Sequence, residues 1–245
     1  MNAFTYNGTS SYSLGLRIES KNVFSTPQYD TTFQSIPGRD GDLIIPNGRF
    51  PNVQVTYSVF VPAKTQAELA QKLTAVKAWL FTEPDRYHRL SDTYESGCFR
   101  NAVINTNLNI EDQLNKIGVF TVSFSCQPFK YLSSGQTAVT FTNGGGTAQL
   151  TNPTPFTSKP LIRINGSGDG TLTVANSSGI TRLQIEGINS YLYCDSEQMN
   201  FYKGSESMND AVTADRFPVL TAGVSAFVFS GGITSIAVTP RWVAL

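Results

Sequence analysis

The sequence predicts a mainly β protein of two domains, with a single helix in the first domain. Charged residues make up only 15% of the 245 residues, while aromatic residues reach 11%. A charged fraction well below one quarter, together with abundant Ser, Thr, Asn and Gly, is typical of all-β proteins. Short runs of alternating apolar and polar residues recur along the chain, and helical periodicity is convincing in one segment alone.

That segment covers residues 65–82 and is the one helix that we expect. Thr65 and Glu68 have the spacing of an S/T-x-x-E capping box, and Pro84 stops the helix just beyond its end. The apolar positions recur at helical spacing and fall on one stripe: Leu69, Leu73, Val76 and Leu80. Because such a stripe needs an apolar partner, we expect the helix to pack on a sheet.

Two strongly alternating strands supply that sheet, over residues 53–61 and 118–129. Residues 98–117 predict a further strand and a turn that lead into the second of them, giving a long hairpin. These elements define the first domain, residues 1–132, as a β-sandwich or split barrel with one packed helix.

The second predicted domain covers residues 133–245. After residue 132 the chain becomes rich in Ser, Thr, Gly and Pro, and β-rich runs then follow at roughly 10-residue intervals with Gly, Asn or Asp between them. This spacing predicts a β-sandwich of the jelly-roll or galectin-like kind. The Gly-rich stretch at residues 166–170 is interpreted as a tight hairpin turn, since a strand follows it where a nucleotide motif would need a helix.

Charge, the N-terminus and cysteine usage argue against several classes of function. Lys plus Arg equals Asp plus Glu, 18 against 18, so sequence-independent nucleic-acid binding is not expected. The N-terminus shows no signal-peptide pattern and no apolar run approaches the ~20 residues of a membrane span, which predicts synthesis in a cytoplasm without membrane insertion. Cys98, Cys126 and Cys194 are widely spaced, so we expect small buried thiols.

Catalytic and metal motifs are weak. His88 is the only histidine, so a Ser-His-Asp or Cys-His mechanism would have to use it, and we expect it instead at a loop or strand edge. Asp40 and Asp42 begin like a calcium loop, but Pro51 stands where that loop needs a glutamate. The sequence therefore predicts no metal, no cofactor and no enzyme.

The second domain leaves one alternative open. Four carboxylates, Asp195, Glu197, Asp210 and Asp215, fall close in sequence to a group of aromatic residues. Two facing carboxylates would suit a glycan hydrolase. Surface aromatics could bind a sugar without hydrolysis, and Tyr191, Tyr193 and Tyr202 are the candidate contacts. The remaining alternative is that the aromatic residues belong to the core and the carboxylates are solvated on loops, with no role in binding or catalysis.

The stretch QSIPGRDGDLIIPNGRF, residues 34–50, predicts a projecting arm. Pro37-Gly38 suits a type II turn and Asn47-Gly48 a type I′ hairpin turn. Three consecutive large apolar residues lie between them, and a monomer has no evident reason to keep them there. We predict an intersubunit arm over residues 36–50, the alternative being an ordinary intramolecular hairpin. The residues assigned to it are Ile36, Arg39, Asp40, Asp42, Leu43, Ile44, Ile45 and Phe50, with the three charged groups at a polar rim.

Three groups of stretches together resemble the distal tail protein (Dit) family of long-tailed, non-contractile phages. The first is FTYNGTSSYSLGLRIES with IPGRDGD. The second is AWL with RLSD and FTVSFSCQPFKYL. The third is NPTPFTSKPLIRINGSGDGTLTV with DSEQMNFYKG, FPVLTAGVSAF and the terminal PRWVAL. Their order and their spread over residues 4–245 make the resemblance specific.

The resemblance implies a structural hub at the tip of a phage tail rather than an enzyme. Such proteins form a hexameric ring from their N-terminal domains. The ring caps the last ring of the major tail protein, docks a tail-associated, gp27-like hub protein, and lets DNA pass through. Their extended hairpin laps over the neighbouring subunit, and the galectin-like domain projects outward. The short stretch between Phe201 and Phe217 has no room for the long insertion that holds receptor-binding proteins in some members, so such a partner stays open.

Overall fold

The computed structural model describes residues 2–142 and 148–245, which form antiparallel β-strands and one α-helix. The predicted fold class, mainly β with one helix, is confirmed. The chain divides into two compact units. The first unit ends at Lys130 and takes in the terminal Leu245, and the second runs from Tyr131 to Ala244.

The first unit contains a seven-stranded path in the order β2-β1-β7-β8-β10-β6-β3, with β9 paired to β10 and β4 paired only to β5. Its strands are β1 (Phe4–Tyr6), β2 (Thr9–Ser10), β3 (Arg17–Asn22), β4 (Thr31–Gln34), β5 (Leu43–Pro46), β6 (Val53–Pro62), β7 (His88–Asp92), β8 (Cys98–Ile104), β9 (Glu111–Gln113) and β10 (Ile117–Cys126). The β6–β10 pair is in register from Ile117 opposite Pro62 to Cys126 opposite Val53.

Alternation along these two strands places the core of the first unit on one face. Strand β6 buries Val53, Val55, Tyr57, Val59 and Val61, and β10 buries Phe120, Val122 and Phe124. Each such side chain contributes about 1.5–3 kcal/mol of hydrophobic free energy when fully buried. The predicted strands are confirmed, with β10 ending at Cys126.

Helix α1 (Gln66–Leu80) packs on β6 and β10. The Oγ of its N-cap, Thr65, accepts a hydrogen bond from the amide of Glu68 at 3.2 Å. The Glu68 carboxylate accepts from the amide of Lys64 at 2.8 Å, one residue before the cap. Of the predicted stripe, Leu69, Val76 and Leu80 are buried and Leu73 is partly buried against the same core. The predicted helix is therefore confirmed.

The long hairpin predicted over residues 98–129 is only partly correct. Strand β8 pairs with β10 over three residues, and residues 105–110 then follow without strand structure. The hairpin proper is β9–β10, and its turn residues are Leu114 and Asn115, both with positive φ (56° and 55°). Positive φ at both central residues gives the twist that two-residue hairpins favour.

The second unit contains a sheet in the order β12-β19-β14-β15-β16-β17, with β13 on β19 and β18 on β15. Its elements are β11 (Lys130–Leu132), β12 (Val139–Thr142), β13 (Ala148–Asn152), β14 (Leu161–Asn176), β15 (Gly179–Asp195), β16 (Asn200–Lys203), β17 (Glu206–Ser207), β18 (Val212–Ala214), β19 (Gly223–Thr239) and β20 (Val243–Ala244). Short runs expected as separate strands thus join into β14, β15 and β19, of 16, 17 and 17 residues.

The Gly-rich stretch at residues 166–170 is a bend within β14, so the predicted hairpin turn is wrong. Pairing with β19 shifts register here. A Cβ on Gly166 would lie 2.1 Å from the carbonyl oxygen of Gly232 on β19, and one on Gly232 would lie 1.9 Å from that of Ser167. Glycine lets the two backbones approach this closely where the strands bend. Residues on both sides of the bend, such as Ile164 and Leu172, then share one core.

Trp242 and two of the three cysteines are buried, so the prediction of small buried thiols is confirmed for Cys126 and Cys194 and wrong for Cys98. Trp242 is 6% exposed in the core of the second unit, and its carbonyl oxygen accepts a hydrogen bond from the amide of Leu132 at 2.9 Å. Burial raises the pKa of the Cys126 thiol to about 12, and that of Cys194 to about 12. Cys98 is partly buried, and all three thiols are free.

Candidate functional site

Strands β4 and β5 form an arm that projects from the first unit. The pair runs in register from Thr31 opposite Pro46 to Gln34 opposite Leu43 and joins neither large sheet. Every residue from Thr32 to Arg49 is exposed. An isolated two-stranded hairpin is marginally stable in water, so an arm of this kind gains from a partner surface.

The arm carries apolar side chains on both faces. Phe33 lies opposite Ile44 on one face, while Leu43 and Ile45 lie on the other, opposite Gln34 and Thr32. Phe33 and Ile44 are 60% and 63% exposed, against 41% and 43% for Leu43 and Ile45. The face formed by Phe33 and Ile44 therefore offers the larger apolar contact, and Phe33 is a residue that the sequence analysis missed.

The loop that closes the arm carries its charged groups. The Pro37-Gly38 turn is present, because Gly38 has a φ of 78° and the amide of Arg39 donates to the carbonyl oxygen of Ile36 at 3.2 Å. Arg39, Asp40 and Asp42 are exposed. Among residues 2–142 and 148–245, none of the three takes part in an ion pair.

Asp30 fixes the base of the arm. Its side chain accepts hydrogen bonds from Asn47 Nδ2 at 2.9 Å and from Arg49 Nε at 2.7 Å. These bonds, that from Asn47 first, hold the pKa of Asp30 below its usual value. Asn47-Gly48 therefore lies where the two strands part, and the type I′ hairpin turn predicted there is wrong. Only Gly48 of the two has positive φ, whereas a type I′ turn needs both.

Phe50 lies at the base of the arm rather than on its exposed length. It is partly buried, with its ring centroid 4.9 Å from that of Tyr29 and 5.6 Å from that of Phe129. Aromatic pairs in edge-to-face arrangement add about 0.5–1.5 kcal/mol beyond their burial. The three rings and the Asp30 network together anchor an otherwise unsupported hairpin.

The tyrosines proposed as glycan contacts share the outer face of the second unit's sheet. Tyr193 lies opposite Arg163 on β14 and Tyr202 on β16, while the intervening residues of these strands face the core. Their rings contact one another, with centroids 5.2 Å apart for Tyr193 and Tyr202 and 5.7 Å for Tyr191 and Tyr193. The idea that these rings fill the core is wrong for the tyrosines and correct for Phe201, which is buried.

Two cations cover part of this tyrosine face, which is defined by Tyr191, Tyr193 and Tyr202. The Arg163 guanidinium lies 4.6 Å from the ring centroid of Tyr191, and the Lys203 ammonium lies 5.5 Å from it. Both distances fall within the range of cation–π attraction. The face thus combines stacked rings with positive charge.

Asp195 is engaged in an ion pair. Arg241 donates to its two carboxylate oxygens at 2.7 and 3.0 Å, and also contacts Glu197 at 3.3 Å. Burial acts to raise the pKa of Asp195, but the hydrogen bonds from Arg241 and from the amides of Gln198 and Glu197 together hold it below its usual value. Glu197 also accepts a hydrogen bond from the hydroxyl of Tyr131.

Neither His88 nor any group of carboxylates and thiols in the described residues forms a metal site. His88 begins β7, as expected for a strand edge, and its Nε2 lies 3.1 Å from the carbonyl oxygen of Glu83. Within residues 2–142 and 148–245 there is no group of three or more His, Cys, Asp or Glu side chains suited to a metal ion. No helix in the same part of the chain is long and apolar enough to cross a membrane.

Comparison with known proteins identifies a phage tail domain in the first unit. Residues 7–126 match the family model of the phage tail protein RIFT-related domain. This chain carries a siphophage tail domain. This match agrees with the resemblance to the distal tail protein family that the sequence motifs indicate. Among curated proteins, none matches its sequence.

Solved structures similar to this chain cover both of its units. The Dit protein (gp 19.1) of phage SPP1, described as a paradigm of the hub adsorption apparatus in phages that infect Gram-positive bacteria, matches with a TM-score of 0.77, 14% identity and 100% of both chains. A chain of the activated phage p2 baseplate with Sr matches with a TM-score of 0.54, 8% identity and 97% and 98% coverage. A chain of the same baseplate with Ca matches with a TM-score of 0.54, 8% identity and 97% coverage of each chain. At these identities the likeness is one of fold.

Proposed function

We propose that this protein is the structural hub of a phage tail tip. In this role six copies form a ring that joins the tail tube to the adsorption proteins. The partners are further copies of the chain, the major tail protein on one side and a tail-associated hub protein on the other, with DNA passing through the ring. The main support is the fold shared with SPP1 Dit over the full length of both chains. Synthesis in the host cytoplasm and a final place in the virion follow from this role.

The arm supplies what a closed ring requires. A ring needs a heterologous interface, in which one patch of a subunit meets a different patch on the next. From Asp30 to Gly38 the arm could span at most about 27 Å at ~3.4 Å per residue. A domain of this size has a radius of gyration of about 14 Å. The arm is therefore long enough to reach a neighbouring subunit.

The carboxylates of the second unit support a structural role over hydrolysis. A glycan hydrolase needs an acid with a raised pKa beside a second carboxylate. Asp195 instead has a lowered pKa, and its oxygens are occupied by Arg241. The state of Asp195 therefore supports the proposal of a structural hub over that of a glycan hydrolase.

The direct test combines solution mass with location in the virion. Light scattering and negative-stain electron microscopy of the purified protein are expected to show a ring of six copies. Gold-labelled antibody against the second unit is expected to mark the tail tip of intact particles. Label along the tail tube or on the capsid would contradict the hub role.

The tyrosine face favours a second candidate function, a contact with host cell-wall glycan. Stacked phenol rings beside Arg163 offer both aromatic surface and hydrogen-bond donors to a saccharide. Purified protein is then expected to sediment with host cell-wall polysaccharide, and Tyr193→Ala with Tyr202→Ala to reduce that binding at least tenfold. Tyr87→Ala, at an exposed tyrosine of the first unit, is the matched control. Equal binding by both variants would contradict a role for this face.

A further inference from the structure

The first unit has a surface feature that no function described above uses. Residues 105–110 link β8 to β9 without strand structure, and we call this segment the ridge. Two open grooves border it. One groove has a volume of about 660 Å³ and the other about 480 Å³, and Thr106 and Asn107 line both.

The two grooves offer apolar contacts beside the ridge. Leu108 and the 41% exposed Phe81 line the smaller groove. Ile110, Val119 and polar residues such as Ser58 line the larger one. Apolar side chains within a concave surface with a polar rim are typical of a docking site.

The charges around the grooves complement those of the arm. Glu19 and Glu111 line the larger groove, and Lys77 lines the smaller one. All three are exposed, and none takes part in an ion pair among the described residues. The arm loop presents the opposite set, one arginine (Arg39) and two aspartates. This pattern fits one orientation, with Arg39 towards the two glutamates and the aspartates towards Lys77.

We propose that the ridge of one copy receives the arm of the next copy. Phe33 and Ile44 pack against Leu108, and the arm charges lie at the rims of the two grooves. The pairing is intermolecular because residues 32–49 are all exposed, so the arm does not occupy the ridge of its own chain. The inference rests on the proposed ring and adds the surface that accepts the arm.

An interface of standard size buries about 800 Å² per partner, with aromatic anchors near its centre. The Phe33–Ile44 pair is the apolar centre that the arm offers, and the charged loop residues form its rim. Such an interface is heterologous, so repeated use of the same contact closes a ring when the rotation between neighbouring copies closes.

Cysteine cross-linking between differently substituted chains tests the pairing. One preparation carries Ile44→Cys and the other Leu108→Cys, and the two are mixed and oxidised. Only a contact between chains can join them, so we expect a disulfide-linked dimer whose linked peptide is identified by mass spectrometry. The matched control replaces Leu108→Cys by Leu114→Cys, at a residue 86% exposed in the β9–β10 turn. Oxidised wild-type protein controls for the native thiols.

The possible outcomes distinguish a failure of the proposed docking site from a failure of the proposed ring. Preferential linking of Ile44→Cys to Leu108→Cys supports the proposal. Rings that form while Ile44→Cys links equally well to Leu114→Cys, or to neither, contradict the docking site alone. A protein that stays monomeric at every concentration contradicts the proposed ring and, with it, the docking site.

Charge reversal gives an independent measurement. Lys77→Glu is expected to weaken assembly at least fivefold, and Asp42→Lys in the same chain to restore most of the loss. Lys116→Glu, at an exposed lysine that lines neither groove, is the control. Equal effects of Lys77→Glu and Lys116→Glu, or no restoration, would overturn the assigned orientation.

Discussion

Asp195 is a buried carboxylate whose two oxygens both accept hydrogen bonds from Arg241. Its pKa in the folded protein lies below the unfolded value of about 3.9. The ion pair therefore stabilises the fold above that unfolded pKa, and this stability is lost as pH falls through the folded pKa. The pair joins the end of β15 to the C-terminal segment of the second unit.

At this scale we predict the effect of Asp195→Asn. Because the change leaves a partly buried Arg241 with only its longer contact to Glu197, the second unit is expected to lose about 3 kcal/mol at pH 7. Urea unfolding at pH 7 and at pH 3 measures this, and the variant should differ less from wild type at pH 3. Glu186→Gln, at an exposed glutamate on the same strand, is the control. An equal loss at both pH values would contradict an ionic origin.

Mutations in the arm can remove exposed apolar surface without changing the stability of the first unit. Neither face of the arm is buried, so replacing Phe33 and Ile44 with Ser, or Leu43 and Ile45 with Ser, should change the free energy of unfolding by no more than about 0.5 kcal/mol. Both variants are expected to lose ring assembly, the first more completely because its side chains are more exposed. Circular dichroism melting and light scattering measure the two effects.

The polar variant Gln34→Ser serves as the control for the arm, since it changes an exposed residue without removing apolar surface. Unfolding of the first unit by either double substitution would show that the segment belongs to the core of the monomer. The ordinary intramolecular hairpin would then be the better description.

Strands β14 and β19 approach each other so closely near Gly232 that there is no room for a side chain at this position. A Cβ at position 232 would lie 1.9 Å from the carbonyl oxygen of Ser167. Gly232→Ala is therefore expected to destabilise the second unit by about 3 kcal/mol or more, seen as a lower melting temperature. Gly204→Asn is the control, because its φ of 60° suits Asn and no atom lies within 4 Å. Similar melting of both variants would contradict the crowding.

For the whole molecule, each unit has its own core, and we predict that residues 131–245 fold alone. A fragment that begins at residue 137 lacks the Leu132–Trp242 hydrogen bond and Gly135, at which a Cβ would lie 2.3 Å from the Trp242 amide nitrogen. It is expected to melt at a lower temperature than the longer fragment. Trp242 is the only tryptophan in either fragment, so its fluorescence reports directly. Emission typical of a solvated indole in the folded longer fragment would contradict the prediction.

The sequence by itself determined the features that depend on local order along the chain. The mainly β class, the capped helix from Thr65, the alternation in β6 and β10 and the Pro37-Gly38 turn all follow from spacings within a few residues. Backbone geometry couples near neighbours directly, so such patterns are visible without knowledge of the fold. The resemblance to distal tail proteins likewise needed only the order of short motifs.

Only the tertiary structure decided which distant residues meet. The Gly-rich stretch at residues 166–170 has the composition of a turn, but it lies within a strand that pairs with β19. Asn47-Gly48 also has the composition of a turn, but the Asn47 side chain donates a hydrogen bond to Asp30 at the base of the arm. Asp195 is a candidate catalytic acid in the sequence, but in the structure it forms an ion pair with Arg241, which lies 46 residues further along the chain. Pairing across such separations depends on strand register and chain crossing, which side-chain periodicity within one segment does not encode.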